Sequence, residues 1–232
     1  LVADFKFTGN TLPSSGDLHL HKKYGSILTI FKPAINARFS TWIYPIFQKF
    51  FHQDIQNQYS REELETIFLT SVVVHHACHS LMRYKDAISR LEGQFPYFDE
   101  LYTDLLGIKG CGSLILTEAF TDRKLEILIL LTVCHALFYY GSMRKNPHIG
   151  QFAQGHAIIF AFLVEGKILQ KDGTRFRIDF HRAFIVITKL ASIVEYYMEL
   201  GDRNEARAFL KKFPIHKTFR DFDKYIPKGG AG

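Results

Sequence analysis

The sequence predicts a mainly α-helical protein with a small β-hairpin, and three observations support this. Apolar residues recur at three- and four-residue steps over several long segments, which is the period of an amphipathic helix. Residues 167–178 instead alternate around an Asp-Gly turn signal, which is typical of a β-hairpin. No linker rich in proline or serine and no internal repeat divides the 232 residues, so we expect a single domain, residues 1–232.

The composition is that of a globular protein, with 47% hydrophobic and 15% aromatic residues. Three widely spaced cysteines argue against a disulfide scaffold and predict a reducing, intracellular compartment. The net charge is +6, with much of the excess near the C-terminus. The basic residues there are Lys211, Lys212, Lys217, Arg220, Lys224 and Lys228. Acidic and aromatic residues interrupt them, which favours a solvated helix face and argues against a nucleic-acid partner.

The first third of the chain changes from turn signals to helical periods. Residues 1–40 are rich in Gly, Pro and Ser, and predict a lead-in of loops with short strands such as SILTIF. Residues 39–51 have the helical period. Ser60 with Glu63 forms a capping box that starts the next helix, which we expect to run to about Tyr84. A shorter helix follows Pro96 and is predicted to stop at Gly107, so residues 60–107 hold two neighbouring helices.

The most apolar run, Leu125–Tyr140, predicts a buried core helix. It has fewer than the roughly 20 residues that a membrane span needs. It also contains Glu126 and His135, so we expect no transmembrane segment here and interpret His135 as a core histidine. Residues 151–165 predict another helix, followed by the hairpin at 167–178. Asp179 is placed to cap the first of the C-terminal helices, residues 179–226.

His75 and His79 are the most informative pair in the sequence. They stand four residues apart on a predicted helix, so both imidazoles can reach the same metal ion, as in the H-E-x-x-H motif. Glu100 and Asp104, one turn apart on the next helix, are candidates for a third ligand or for a partner of a ligating histidine. His75 also lies on the apolar stripe of this helix, so by spacing alone a hydrogen-bonded core histidine is the favoured alternative.

The wider pattern resembles the zincin domain of the dipeptidyl peptidase III family, especially its shorter bacterial and Nudix-fused relatives. That family carries an H-E-I-S-H-G-like helix and then an L-E-E-A-K-A-D-x-x-G-like helix. The matching stretches are residues 75–80 (HHACHS) and 98–107 (FDELYTDLLG), with weaker matches at 12–13, 23–26, 155–160 and 176–180. The resemblance implies a zincin-like fold with zinc on His75, His79 and Glu100. It also implies that Asp104 and Asp99 support the ligands.

The sequence departs from the family pattern at three positions. His76 stands where the family has the glutamate that deprotonates the attacking water. The glycine-rich loop after the second histidine is shortened to residues 81–84. A histidine-glycine-arginine element aligns with residues 152–154 (FAQ), so a transition-state donor is missing. His156 lies near the place of the family's substrate cleft and is a candidate compensating acid or donor.

These departures predict a degenerate, peptidase-like protein that binds metal and acts as a non-catalytic subunit or partner-binding protein. The expected partner is a peptide-like ligand or another protein, in an oligomeric state that the sequence leaves open. One alternative is an active zinc hydrolase in which His76, with an ordinary pKa near ~6.5, is the base. The other is a non-haem iron(II) enzyme, because two histidines and a carboxylate also form an iron site.

Overall fold

A computed structural model of the chain describes residues 9–12, 27–81, 84, 86–143 and 146–220. The first two elements are short strands, β1 (Gly9–Leu12) and β2 (Ile27–Ile30), which pair antiparallel. Strand β2 is the apolar piece in which a strand was expected. Several predicted features lie outside the described residues: Pro13, residues 23–26, residues 82–83 of the shortened loop at 81–84, residues 221–226 with Lys224, and Lys228.

The first helix begins earlier than predicted. Helix α1 (Lys32–Arg38) lies inside the stretch to residue 40 for which only loops and strands were expected, so that boundary is wrong. Pro33 explains the early start, because its fixed φ suits the first turn of a helix. A π-helical turn, Phe39–Ile43, joins α1 to α2 (Tyr44–Phe50), and the short helix α3 (Gln53–Gln56) follows.

Two long helices lie where metal-site helices were expected. Helix α4 (Arg61–Leu81) begins at the predicted capping box, in which the Ser60 hydroxyl accepts from the Glu63 amide and the Glu63 carboxylate accepts from the Ser60 amide. The short helix α5 (Ala87–Leu91) precedes α6 (Phe95–Leu114). The predicted stop at Gly107 is wrong, because α6 continues for two more turns. A Cβ at position 107 would lie 3.0 Å from Val74 Cγ1, so the glycine lets α6 approach α4 closely.

Helix α7 (Asp122–Met143) forms the centre of the bundle and confirms the predicted buried helix. Among the described residues it is the one helix long and apolar enough to cross a membrane, and 72% of its most apolar window is buried inside the protein. Helix α8 (Gly150–Glu165) packs along α7 and ends at Gly166, as expected.

The predicted hairpin consists of β3 (Leu169–Asp172) and β4 (Arg175–Ile178). Asp172 pairs with Arg175, so the turn residues are Gly173 and Thr174, one position later than the expected Asp-Gly tip. Gly173 has φ +62°, a conformation that glycine adopts without steric cost. The turn therefore forms at Gly173, because this residue can adopt a positive φ.

Three helices end the described part of the chain: α9 (Phe180–Glu199), α10 (Arg203–Lys211) and α11 (Ile215–Phe219). The Asp179 carboxylate accepts from the Arg182 amide, which confirms it as the cap of α9. Helices α4, α6, α7, α8 and α9 share one apolar core that includes Phe68, Leu101 and Leu137. The fold is therefore mainly α, with small two-stranded sheets at the margin of the bundle.

Gly201 ends α9 in a confined position. Its amide donates to the Tyr196 carbonyl, while the Arg90 guanidinium donates to the carbonyls of Gly201 and Met198. A Cβ at position 201 would lie 2.9 Å from Tyr197 Cα, which is backbone that cannot move aside alone. The end of α9 therefore depends on a residue without a side chain.

We expect Gly201→Ala to lower the free energy of unfolding by roughly 1–3 kcal/mol, because the added methyl overpacks against the backbone. Gly110→Ala is the matched control, since Gly110 is exposed on α6 and no atom lies within 4 Å of the place that an alanine methyl would take. The control should raise stability by roughly 0.5–1 kcal/mol through helix propensity. Urea denaturation followed by circular dichroism measures both, and equal effects would contradict the packing argument.

Candidate metal centre

The centre is built on the middle of α4, where the helical period stacks two histidines. His75 and His79 lie one turn apart, with ring centroids 4.8 Å apart and rings nearly perpendicular. Their Nε2 atoms are 3.2 Å from each other. Both side chains are mostly buried, so two imidazole nitrogens face one small volume between α4 and α6.

Glu100 on α6 completes the cluster. Its Oε2 lies 3.4 Å from His75 Nε2 and 3.8 Å from His79 Nε2. One ligand atom from each of the three residues lies within 4.8 Å of the others. Glu100 Oε2 is buried and accepts no hydrogen bond, which is costly for a carboxylate oxygen without a cation. Two imidazole nitrogens and this oxygen are a donor set that suits a divalent metal ion.

The outer nitrogens of both histidines are held by α6. Asp104 Oδ1 lies 2.8 Å from His75 Nδ1, and Asp99 Oδ2 lies 3.5 Å from His79 Nδ1. Such contacts keep the proton on Nδ1 and leave the Nε2 lone pair for a metal. Asp104 and Asp99 thus lie where sequence reasoning expected supporting carboxylates.

Thr103 belongs to this arrangement and was not predicted. Its hydroxyl donates to the Asp99 carbonyl at 2.7 Å, and its oxygen lies 3.3 Å from His79 Nδ1. The hydroxyl oxygen can therefore accept a hydrogen bond from the Nδ1–H group of His79. Its position three residues after Glu100, on the same face of α6, was the available sequence signal.

Burial and neighbouring charges shift the pKa values of the centre strongly. Burial alone would lower the pKa of His75, but Asp104 and Glu100 outweigh it and raise the pKa to about 10. Burial alone would raise the pKa of Asp104, but His156 and His75 hold it well below its usual range. In the metal-free protein, His75 is therefore a cation and Asp104 an anion at neutral pH.

His76 lies beside the cluster and lines a neighbouring cavity. Burial, followed by the charges of His75 and His79, lowers the pKa of His76 to about 4, so its ring is neutral at pH 7. The predicted base position therefore holds an imidazole that can accept a proton but has little affinity for it.

His156 on α8 is 4% exposed and contacts the centre through Asp104. Its Nδ1 lies 3.0 Å from the Phe152 carbonyl and its Nε2 lies 3.5 Å from Asp104 Oδ2. Its direct charged contact is with Asp104, and Asp104 in turn contacts the ligand candidate His75. Among the described residues, His156 thus has the geometry of a residue that positions Asp104, and its predicted role as an acid or donor stays a prediction.

The remaining histidine and cysteines near the centre are packing residues. His135 contacts the rings of Phe68 and His156, and burial lowers its pKa well below the ordinary value. Cys78, Cys111 and Cys134 are free, buried thiols, and burial raises the pKa of each. They are therefore unreactive thiols rather than ligands.

A cavity of about 180 Å³ adjoins the centre on the side of His75 and His76. It lies among α4, α6, α7, α8 and the C-terminal end of α1. Arg38, His135, Tyr139 and His156 contribute polar groups, while much of the wall is apolar. Sequence reasoning did not predict the cavity, because its residues are dispersed widely along the chain.

Comparisons with known proteins identify the fold. No family model and no curated protein matches the sequence. The structure of DPP III from Caldithrix abyssi matches with a TM-score of 0.75 and 18% identity, over 96% of this chain and 43% of that chain. Dipeptidyl-peptidase III from Corallococcus sp. strain EGB matches with a TM-score of 0.77 and 16% identity, over 97% and 42%.

These likenesses show a mainly α, zincin-like fold of the dipeptidyl peptidase III kind. The chain spans less than half the length of the two proteins it matches. The His75, His79 and Glu100 cluster is a candidate site for a divalent metal on this fold.

We expect zinc binding at pH 7 to release about one proton, because the cationic His75 of the metal-free protein must lose its proton to become a ligand. The release should decline as the pH rises through about 10, where His75 is already neutral. Calorimetric titration of zinc in two buffers of different ionisation enthalpy measures it. Asp104→Asn removes one of the two carboxylates that raise the pKa, so it should release fewer protons. Equal heats in both buffers would contradict the assignment.

Proposed function

We propose that this chain is a zinc-binding protein on a dipeptidyl peptidase III-like scaffold that has lost the hydrolytic step. One observation carries the proposal: an imidazole, His76, stands beside an otherwise intact two-histidine, one-glutamate cluster where a zincin carries its glutamate base. The cluster favours metal binding, and the missing carboxylate argues against peptide hydrolysis.

The chemistry of the site favours metal binding and disfavours peptide hydrolysis. Bound to these ligands, a divalent ion would polarise a carbonyl group or a water molecule. A peptidase additionally needs a base that takes a proton and returns it to the leaving amine. The pKa of His76 is about 4, so its ring has little affinity for the proton of an attacking water and transfers protons poorly at neutral pH. Gln154 donates instead to the Phe213 carbonyl, so it does not replace the missing arginine donor.

A site that keeps its ligands without the base is suited to binding rather than turnover. We therefore propose a peptide-like ligand or a protein partner, because the matched solved structures are named as dipeptidyl peptidases. The three buried, unpaired thiols favour a reducing, intracellular compartment for that interaction.

One observation favours a second function, an active hydrolase. The low pKa leaves His76 unprotonated at neutral pH, and its ring lines the cavity beside His75. A base in this position is available even if it is weak. The donor set is also compatible with iron(II), so metal identity separates zinc chemistry from oxygen chemistry.

We expect about one zinc per chain when the protein is purified without added metal, because the three ligand atoms converge on one volume. The double variant His75→Ala/His79→Ala should contain almost none. His181→Ala removes an exposed histidine on α9 and should retain the metal. Elemental analysis decides: iron in place of zinc would favour the oxygen-dependent alternative, and no metal in any sample would overturn the proposal.

We expect the zinc-loaded wild type to hydrolyse dipeptidyl-naphthylamides no faster than the His75→Ala/His79→Ala variant. His76→Glu places a carboxylate base beside the cluster and should raise the rate at least roughly tenfold, which is less than the roughly 100- to 10,000-fold that a well-positioned base contributes. His76→Gln is the matched control, since it has the size of glutamate but cannot accept the proton. Hydrolysis by the wild type that both substitutions abolish would make His76 a working base and overturn the non-catalytic proposal.

A further inference from the structure

Arg38 stands at the wall of the cavity in an unusual electrostatic setting. It ends α1 and immediately precedes the π-helical turn, a rare conformation that often marks functional positions. Its guanidinium lies over the Phe138 ring, 5.6 Å from the centroid. Among the described residues, no carboxylate lies within the 4.0 Å of an ion pair with Arg38. Arg38 is thus a half-buried cation that contacts aromatic rings instead of an anion.

Asp104, an acidic residue of the cavity wall, is already occupied. Its two oxygens lie 2.8 Å from His75 Nδ1 and 3.5 Å from His156 Nε2. It therefore balances the histidines, and the charge of Arg38 is left for a ligand that enters the cavity.

The other groups of the wall define what such a ligand looks like. Tyr139 lines the same cavity. Burial raises the pKa of its hydroxyl, and the charge of Arg38 partly offsets that rise. Val72, Leu128 and Phe152 supply apolar surface. Asp104 balances the charge of His75, so Arg38 is the cation of the described wall that has no carboxylate partner. One such cation beside mostly apolar surface suits a singly charged group on an apolar body, whereas phosphate sites usually gather several donors and charges.

We propose that this cavity binds a small monocarboxylic acid, with the carboxylate on Arg38 and Tyr139 and a compact apolar body against Val72, Leu128 and Phe152. Arginine recognises carboxylates through two parallel hydrogen bonds, and the tyrosine hydroxyl offers one more. The volume of about 180 Å³ exceeds the roughly 150 Å³ cavity known to hold benzene, so it accommodates a body of about that size. The carboxylate contacts need no metal, so the proposal does not rest on the proposed function, although the cavity wall shares His75 and Asp104 with the candidate metal centre.

Benzoate and benzamide are the probes, because they share size and shape and differ in charge. Calorimetric titration of the metal-free protein should give an affinity for benzoate at least roughly tenfold higher than for benzamide, as charge-assisted hydrogen bonds predict. Repeating it with zinc-loaded protein should leave the preference in place. A preference that appears only with zinc would assign the carboxylate to the metal and overturn the proposal.

Variants locate the site. Arg38→Gln should abolish the preference for benzoate, and Arg38→Lys should keep part of it, since lysine retains the charge without the planar fork. Arg61→Gln is the matched control: Arg61 also stacks on a ring, 5.0 Å from the Tyr44 centroid, but lies away from the cavity. It should bind benzoate like the wild type.

Leu128→Phe fills the apolar part of the cavity and should weaken both probes at least roughly tenfold, because the added ring takes the volume that their apolar body needs. Circular dichroism and melting temperature verify that each variant is folded. If Leu128→Phe does not fold, the Arg38 substitutions alone test the proposal. Equal affinity for the two probes in the wild type would overturn the proposal, as would an Arg38→Gln variant that retains the preference.

Discussion

The burial of three carboxylates on one face of α6 is the constraint on which the centre depends. A buried carboxylate is costly unless a cation or hydrogen-bond donors compensate it. Asp104 and Asp99 meet the outer nitrogens of His75 and His79, while Glu100 faces the inner ones. These contacts require α4 and α6 to pack in one register. The close approach at Gly107 allows that register.

The negative charge of these buried carboxylates can be compensated in two ways. Without a metal, a proton on His75 balances the carboxylates around it, which is why the pKa of His75 is raised. With a metal, the ion supplies the positive charge and His75 becomes neutral. Because both states satisfy the buried carboxylates, metal binding and protonation are linked at this site. His156 adds a further contact to Asp104 and so connects α8 to the same balance.

The likeness to dipeptidyl peptidase III structures identifies the scaffold, and the residues on it decide what the scaffold can do. His75, His79 and Glu100 form a cluster that could hold a divalent metal, and the group beside it, His76, is a neutral ring at pH 7. The neighbouring cavity carries a cation, Arg38, that the cluster does not use. The fold thus brings a candidate metal cluster, a neutral imidazole and a cation into one small region.

The sequence by itself determined the elements whose signals are local. The capping box at Ser60, the cap at Asp179 and the i,i+4 histidine pair follow from helix geometry alone, and the structure has all of them. Spacing alone left both Glu100 and Asp104 as candidates, and the family resemblance favoured Glu100. The docking of α6 places Glu100 Oε2 near the two Nε2 atoms and Asp104 near Nδ1 of His75. Only the tertiary structure extended α6 past Gly107 and brought Arg38 to the cavity. These features depend on contacts between residues distant in sequence, which no local pattern encodes.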